Sequence, residues 1–177
     1  MASNGRLYSK GVISKRITIP FDKITNDIQR LLLSKIIKKY EDKCILEGYI
    51  KKNSCKILQH SSGTIDGHNV KFNIMFECEI CFPVEGMYVD CVVKNVTKAG
   101  IRAEIDEEKS PLIIFLARDH HYNNSTFTKL TEGDIINVKI IGQRFELNDN
   151  YISVIAEMEE RQSILQFRFI IRVLNKL

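Results

Sequence analysis

Hydrophobic and polar positions change their period twice along this chain. From Leu7 to Ile19, apolar Ile13, Ile17 and Ile19 alternate with Ser14, Arg16 and Thr18, a period of two that predicts a strand closed by Pro20. From Asp22 the period lengthens: Ile24, Ile28, Leu32, Ile36 and Tyr40 recur at every fourth position with Leu31 beside them. That spacing predicts a helix of about five turns over Asp22–Tyr40. Asp22 is the expected N-cap, and Lys35, Lys38 and Lys39 suit the negative end of the helix dipole. The apolar stripe of this helix needs a cover, and residues 7–19 and 44–82 supply a sheet for it; Leu33 and Ile37 lie off that stripe and could meet a partner.

After Lys43 the period returns to two and stays there. The expected strands are Cys44–Ile50, Ser54–Leu58, Val70–Phe82, Tyr88–Val96, Gly100–Ile105, Leu112–Leu116, Ile135–Ile141 and Tyr151–Met158. Between Leu58 and Val70 runs a polar stretch with Gly63 and Gly67, which predicts a projecting hairpin loop. Pro83-Val84-Glu85-Gly86 interrupts the β pattern and marks a boundary. The five strands beyond it, with the long connection Arg118–Glu132 between the third and fourth, have the spacing of an OB barrel. The expected class is therefore α+β: an N-terminal domain over residues 1–83, an antiparallel sheet wrapped on one helix, then a five-stranded OB barrel over 84–158 and a tail over 159–177.

Composition narrows the function classes. With 44% hydrophobic and 27% charged residues among 177, and only 3 prolines and 9 glycines, a disordered or fibrous chain is excluded. The net charge of +4 is modest, but its distribution is not: residues 1–58 carry 13 basic and 5 acidic side chains, residues 59–158 carry 9 and 15. No signal-peptide core or membrane-length apolar run is present, and five cysteines cannot all pair, so a soluble protein of a reducing, intracellular compartment is expected.

Candidate chemistry is sparse. Cys78-Glu79-Ile80-Cys81 is a lone C-x-x-C with no second pair, and on a strand its two thiols point to opposite faces, so reduced core thiols are favoured over zinc. Asp119-His120-His121 has no carboxylate at helical spacing to complete a metal set and reads as surface loop. Asp106, Glu107 and Glu108 fall in a turn between barrel strands. No nucleophile elbow, P-loop or dinucleotide fingerprint occurs, so no catalytic residue, metal or cofactor is assigned.

The run Gly86-Met87-Tyr88-Val89-Asp90-Cys91-Val92-Val93-Lys94-Asn95-Val96-Thr97-Lys98-Ala99-Gly100-Ile101 resembles the opening of the OB domain that recurs in ribosomal protein S-one. Joined to Lys139-Ile140-Ile141-Gly142-Gln143-Arg144, to Asn148-Asp149 and to the strand Tyr151–Ala156, with the Lys71–Pro83 strand running straight into it, the pattern resembles the stalk subunit of multisubunit DNA-directed RNA polymerases. That family comprises the seventh subunit of RNA polymerase II and its archaeal counterpart. The resemblance spans roughly residues 8–158 in the family's order of strand, helix, β-rich tip domain and OB domain.

What the resemblance implies is a non-catalytic polymerase subunit. Its tip hairpin would dock on the polymerase core through His60, Gly63, Ile65, Gly67 and His68, and a smaller second stalk subunit would pack against both domains. The barrel would weakly contact nascent RNA through Tyr88, Lys94, Lys98, Arg102, Arg144, Phe145 and Tyr151. Two departures are notable: Ile101 stands where the family commonly has an aromatic residue, and 19 residues follow the last barrel strand, with apolar Ile164, Leu165, Phe167, Phe169, Ile170 and Val173 expected to meet the barrel or the partner. The low-proline, Ile-, Lys- and Asn-rich chain suits a large DNA virus or an AT-rich eukaryote, hence a nucleus, or a virion and cytoplasmic viral factory. The rival reading is a free-standing OB-fold RNA-binding adaptor or translation factor. The barrel's balance of 8 basic to 12 acidic residues argues against tight autonomous RNA binding.

Overall fold

The computed structural model describes residues 7–122 and 124–158. The first strand, β1 (Tyr8–Pro20), ends at the proline as its pattern requires. The helix starts later than the periodicity suggests. Helix α1 spans Ile28–Tyr40, and its N-cap is Asp27, whose carboxylate accepts the Arg30 N–H at 3.0 Å. Asp22 instead lies in a single 3-10 turn, Phe21–Lys23, after which Ile24 is extended and stops the helix from running through. Both aspartates precede Ile28, and only the second has the α-helix directly behind it. Ile24 and Ile28 keep their place on the apolar stripe, packed at the rim of the core in which Leu32, Ile36 and Tyr40 are buried.

The segment expected as one strand over Cys44–Ile50 is two. Strands β2 (Cys44–Ile45) and β3 (Gly48–Ile50) form a tight hairpin through Leu46-Glu47. Strands β4 (Lys56–His60) and β5 (Thr64–Asp66) then pair one after the other with the same edge of the long β6 (Asn69–Cys81), whose opposite edge pairs with β1 along its whole length. The sheet buries Ile13, Ile17, Ile19, Val70, Phe72, Ile74, Phe76, Cys78 and Ile80 against α1, and Tyr40 stacks on Phe76 at 6.0 Å. Each large side chain sealed in this way contributes roughly 1.5–3 kcal/mol.

Glu41 is a charged residue buried beside this layer. Its two carboxylate oxygens accept the backbone N–H groups of Asn53 (2.9 Å) and Cys55 (3.1 Å), which ties the helix end to the loop before β4. A Glu41→Ala chain leaves the buried Cys55 N–H unpaired, while the N–H of exposed Asn53 can turn to water. It should lose about 1–3 kcal/mol of stability in chemical unfolding, whereas a Glu41→Gln chain, which keeps one acceptor, should lose about half of that.

The second half is a closed barrel of β7 (Tyr88–Val96), β8 (Gly100–Glu104), β9 (Leu112–Ala117), β10 (Ile135–Arg144) and β11 (Ile152–Glu157). Around the barrel the order is β7-β8-β9-β11-β10 and back to β7, with β9 and β11 parallel and every other pair antiparallel. This is an OB-like barrel, and its alternation is clean: Val89, Cys91, Val93, Ile101, Ala103, Leu112, Ile114, Leu116, Val138, Ile140, Val154 and Ala156 all point inward. Phe127, from the β9–β10 connection, completes that core.

The two halves are joined by more than a linker. Cys44, Tyr49 and Cys81 belong to the same buried cluster as the barrel interior. The β10–β11 loop pairs with β2 through Cys44 N–H to Asp149 carbonyl (2.7 Å) and Asn148 N–H to Cys44 carbonyl (2.9 Å). The β8–β9 loop reaches the same junction: the Tyr8 hydroxyl donates to Glu107 at 2.7 Å, and Lys109 pairs with Asp42 at 3.3 Å. Burial, then the Glu107 carboxylate, raises the Tyr8 pKa well above the ordinary phenol value, so Tyr8 remains a donor. One end of the barrel is thus closed by the N-terminal half, and the β9–β10 connection, which bonds Ala99 at the β7–β8 turn through the Arg118 N–H, inserts Phe127 into the core. Among the described residues no helix is long and apolar enough to cross a membrane.

Candidate nucleic-acid interface and docking tip

On the barrel, register decides which expected RNA residues can act together. Lys94 occupies a bulge between the pairs Val93/Ala103 and Asn95/Arg102, so it stands beside Arg102. Arg102 is directly opposite Phe115, and Phe115 is directly opposite Ile155. These four exposed positions make a band across β7, β8, β9 and β11, with neighbouring strands about 4.8 Å apart. Lys98 lies in the β7–β8 turn beyond the band, a turn held by the Thr97 hydroxyl donating to the Gly100 carbonyl at 2.8 Å.

The other four expected residues lie elsewhere. Arg144, Phe145 and Tyr151 flank the loop that docks on β2, and Tyr88 opens β7 near the same junction. Arg144 is paired with Glu146 at 3.3 Å, and Phe145 meets Phe82 edge-on at 6.1 Å. The seven residues therefore split into a band with its adjoining turn and a group around the junction, in which Arg144 pairs within its own loop and Phe145 packs on Phe82.

Ile101 resolves differently from its reading as a missing aromatic. It is fully buried in the barrel core and would present no face to a base whatever its identity. The outward π-face comes from Phe115, 39% exposed, which the uniformly apolar run Leu112–Leu116 conceals in the sequence. A cation and an aromatic in register can hold a phosphate and stack a base. Glu104, 2.8 Å from Arg102, keeps the local charge close to neutral.

At the far end of the N-terminal sheet, the loop expected over His60–Asn69 is shorter than its polarity suggests, because β5 lies inside it. Its tip is the turn from Asp66 to Asn69, with Gly67 at φ +59°. Ile65 is 70% exposed there, and the carbonyl of His68 accepts the N–H of Phe21 at 2.9 Å, which brings a second exposed apolar side chain to the same end. Phe21 is hidden in the sequence by its position at the expected helix start. His60 and Gly63 sit further back: the His60 ring donates from Nδ1 to the Ser61 carbonyl at 3.0 Å, and Gly63 packs on Val70 and Phe72 too closely for a side chain. Ile65, Gly67, His68 and Phe21 form the projecting tip.

The cysteines divide between the two cores. Cys78 points into the helix-covered layer and Cys81 into the barrel cluster, so the C-x-x-C does not form a chelating pair. Cys78 faces Cys55 instead, and the Cys55 S–H donates to its sulfur, which lowers the Cys78 pKa and raises that of Cys55. Burial pushes Cys44, Cys81 and Cys91 up to about 12, the value of unreactive thiols.

His120 and His121 also part company. His121 is buried, stacked on Phe127 at 4.4 Å, with Nδ1 at 2.7 Å from the Ala117 carbonyl and Nε2 accepting the Met158 N–H at 2.8 Å. That pair of partners requires the Nδ1–H tautomer and makes His121 a clamp between the β9–β10 connection and the end of β11. His120 is exposed. The tail expected to dock, residues 159–177, lies outside the described residues.

No family model matches the chain. A protein of Acanthamoeba polyphaga mimivirus, named provisionally as a DNA-directed RNA polymerase subunit, is 24% identical over 170 residues, covering 86% of this chain and 82% of that protein.

Proposed function

We propose that this chain is a non-catalytic stalk subunit of a DNA-directed RNA polymerase, with residues 1–83 as its tip domain and 84–158 as its OB domain. The observation that carries this reading is a near full-length likeness to a viral protein named for that complex, in a chain whose barrel follows a helix-backed sheet with a projecting apolar tip. A free OB-fold adaptor has no need of such a tip. In this role Ile65, Gly67, His68 and Phe21 meet the large polymerase subunits, and a smaller second stalk subunit packs beside the junction. The protein then works where its polymerase transcribes, in the nucleus or in a cytoplasmic viral factory. On a sizing column of native extract it should elute with the catalytic chains, far above 20.4 kDa. Elution near its own mass, or with ribosomes, would support the adaptor instead.

Within the complex, the Lys94–Arg102–Phe115 band offers emerging RNA a low-affinity surface, adequate because tethering supplies a high local concentration. Removing Lys94, Lys98 and Arg102 together should lower the salt slope of RNA binding by roughly 2–3, close to one unit for each lost phosphate contact. A Phe115→Ala chain should bind less tightly at every salt concentration with the slope unchanged. Equal slopes for the triple variant and the parent chain would remove the band from the RNA path.

A further inference from the structure

A groove separate from both surfaces lies along the free edge of the N-terminal sheet. It holds about 270 Å³ and is lined by Arg16, Ile17 and Thr18 of β1 and by Lys35, Lys38 and Lys39 of α1. Four of its six lining residues are cationic and none is acidic. Among the described residues Lys35, Lys38 and Lys39 have no carboxylate partner, although most other lysines of this half do: Lys10, Lys15, Lys51, Lys52 and Lys71 are each paired. The second observation is independent of charge. β1 is an outer strand of 13 residues that pairs only with β6, and no other backbone bond from Tyr8–Ile19 fills its second edge among the described residues.

We propose that this groove receives an extended acidic segment of a partner protein, which adds to β1 as a further strand and sets its carboxylates against the α1 lysines. The open edge alternates N–H donors with C=O acceptors, and an incoming strand satisfies both. A phosphate chain could use the donors but would be repelled by the carbonyls, and no aromatic in the groove would stack its bases. A second copy of this chain would bring the same cations against themselves, a like-charge approach that disfavours self-pairing. The spacing also matches: alternate residues of a strand recur every ~6.7 Å, and Lys35 and Lys39 are one turn, ~6 Å, apart along the helix. This inference holds whether or not the chain belongs to a polymerase.

The test uses the full chain and three probes: a labelled peptide of roughly ten residues alternating Glu with Val and Thr, the same peptide with Lys for Glu, and an oligouridylate of similar length. The acidic peptide is expected to bind and to slow hydrogen exchange of β1 amides by at least about tenfold, while the Lys peptide does neither. A K35E/K38E/K39E chain should lose binding by more than about tenfold, and a K35Q/K38Q/K39Q chain, which keeps the aliphatic stems, should lose part of it. The proposal is overturned by absence of peptide binding, by binding that leaves the β1 amides exchanging freely, or by lysine-dependent binding of the oligouridylate in preference to the peptide.

Discussion

A Gly100→Val chain is expected to lose its barrel. The β7–β8 turn brings the Gly100 Cα against the strand opposite, so that a Cβ built there would lie 2.2 Å from the Leu116 carbonyl oxygen and 3.0 Å from the Phe115 ring. The obstacle is backbone, not the far end of a flexible side chain, so relief requires β8 and β9 to separate. Those two strands carry Ile101, Ala103, Ile114 and Leu116 into the core and hold Arg102 opposite Phe115 on the outside. Even Gly100→Ala should cost roughly 3 kcal/mol or more, and valine should go beyond what a domain with ordinary stability tolerates. Urea unfolding monitored by tyrosine fluorescence would measure the alanine variant, and for valine the expected result is loss of cooperative unfolding. A midpoint within error of the parent chain would mean that the strands are not as closely set as the structure has them.

The second large effect concerns assembly rather than stability. Replacing Ser61–His68 by a short Gly-Ser turn removes β5 and Ile65 while leaving β1, β6 and the helix-covered core in place. The chain should remain folded, because Ile65 is exposed and β5 adds only three short pairings at the sheet end. Copurification with large polymerase subunits should nonetheless fall to background. Phe21 offers a finer version: Phe21→Asp together with Ile65→Asp keeps the backbone intact and should weaken assembly by at least about a hundredfold, as expected when two apolar anchors of an interface become charged. Circular dichroism of the isolated variants separates a docking defect from a folding one.

What can be read ahead of the structure follows the range of the interactions involved. The barrel strands Tyr88–Val96 and Gly100–Glu104 are legible almost residue for residue, since alternation is a local signal and the flanking glycine and turn residues delimit it. The N-cap of α1 falls five residues later than the periodicity suggests because Asp22 and Asp27 are both competent caps, and the choice depends on where Ile24 turns extended. The β2–β3 hairpin looks like one strand in the sequence because Leu46-Glu47 continues the alternation, and only Gly48, at φ +126° with the Cys81 carbonyl against it, reveals the reversal.

The site is less legible for a related reason. Phe115 lies in an apolar run that has no alternation to say which positions face outward, and Phe21 follows a proline at what reads as a helix start. Arg144, Phe145 and Tyr151 flank a barrel loop, as their place in the sequence between two strand patterns suggests. That loop, however, is committed to β2, a contact between residues about a hundred positions apart that no local pattern announces. His121 likewise reads as half of an exposed pair until its stack on Phe127 and its bond from Met158 are seen.

The measurement that tests the central claim most directly is site-specific photocrosslinking from position 65 in the native assembly. With a benzophenone side chain replacing Ile65 at the tip, irradiation before lysis should attach this chain to one or both of the largest, catalytic polymerase subunits, and a probe placed at exposed Ile135 on the barrel should not produce that product. Crosslinks from position 65 to ribosomal or translation proteins, or none above those seen from position 135, would contradict the assignment of this fold to a polymerase stalk.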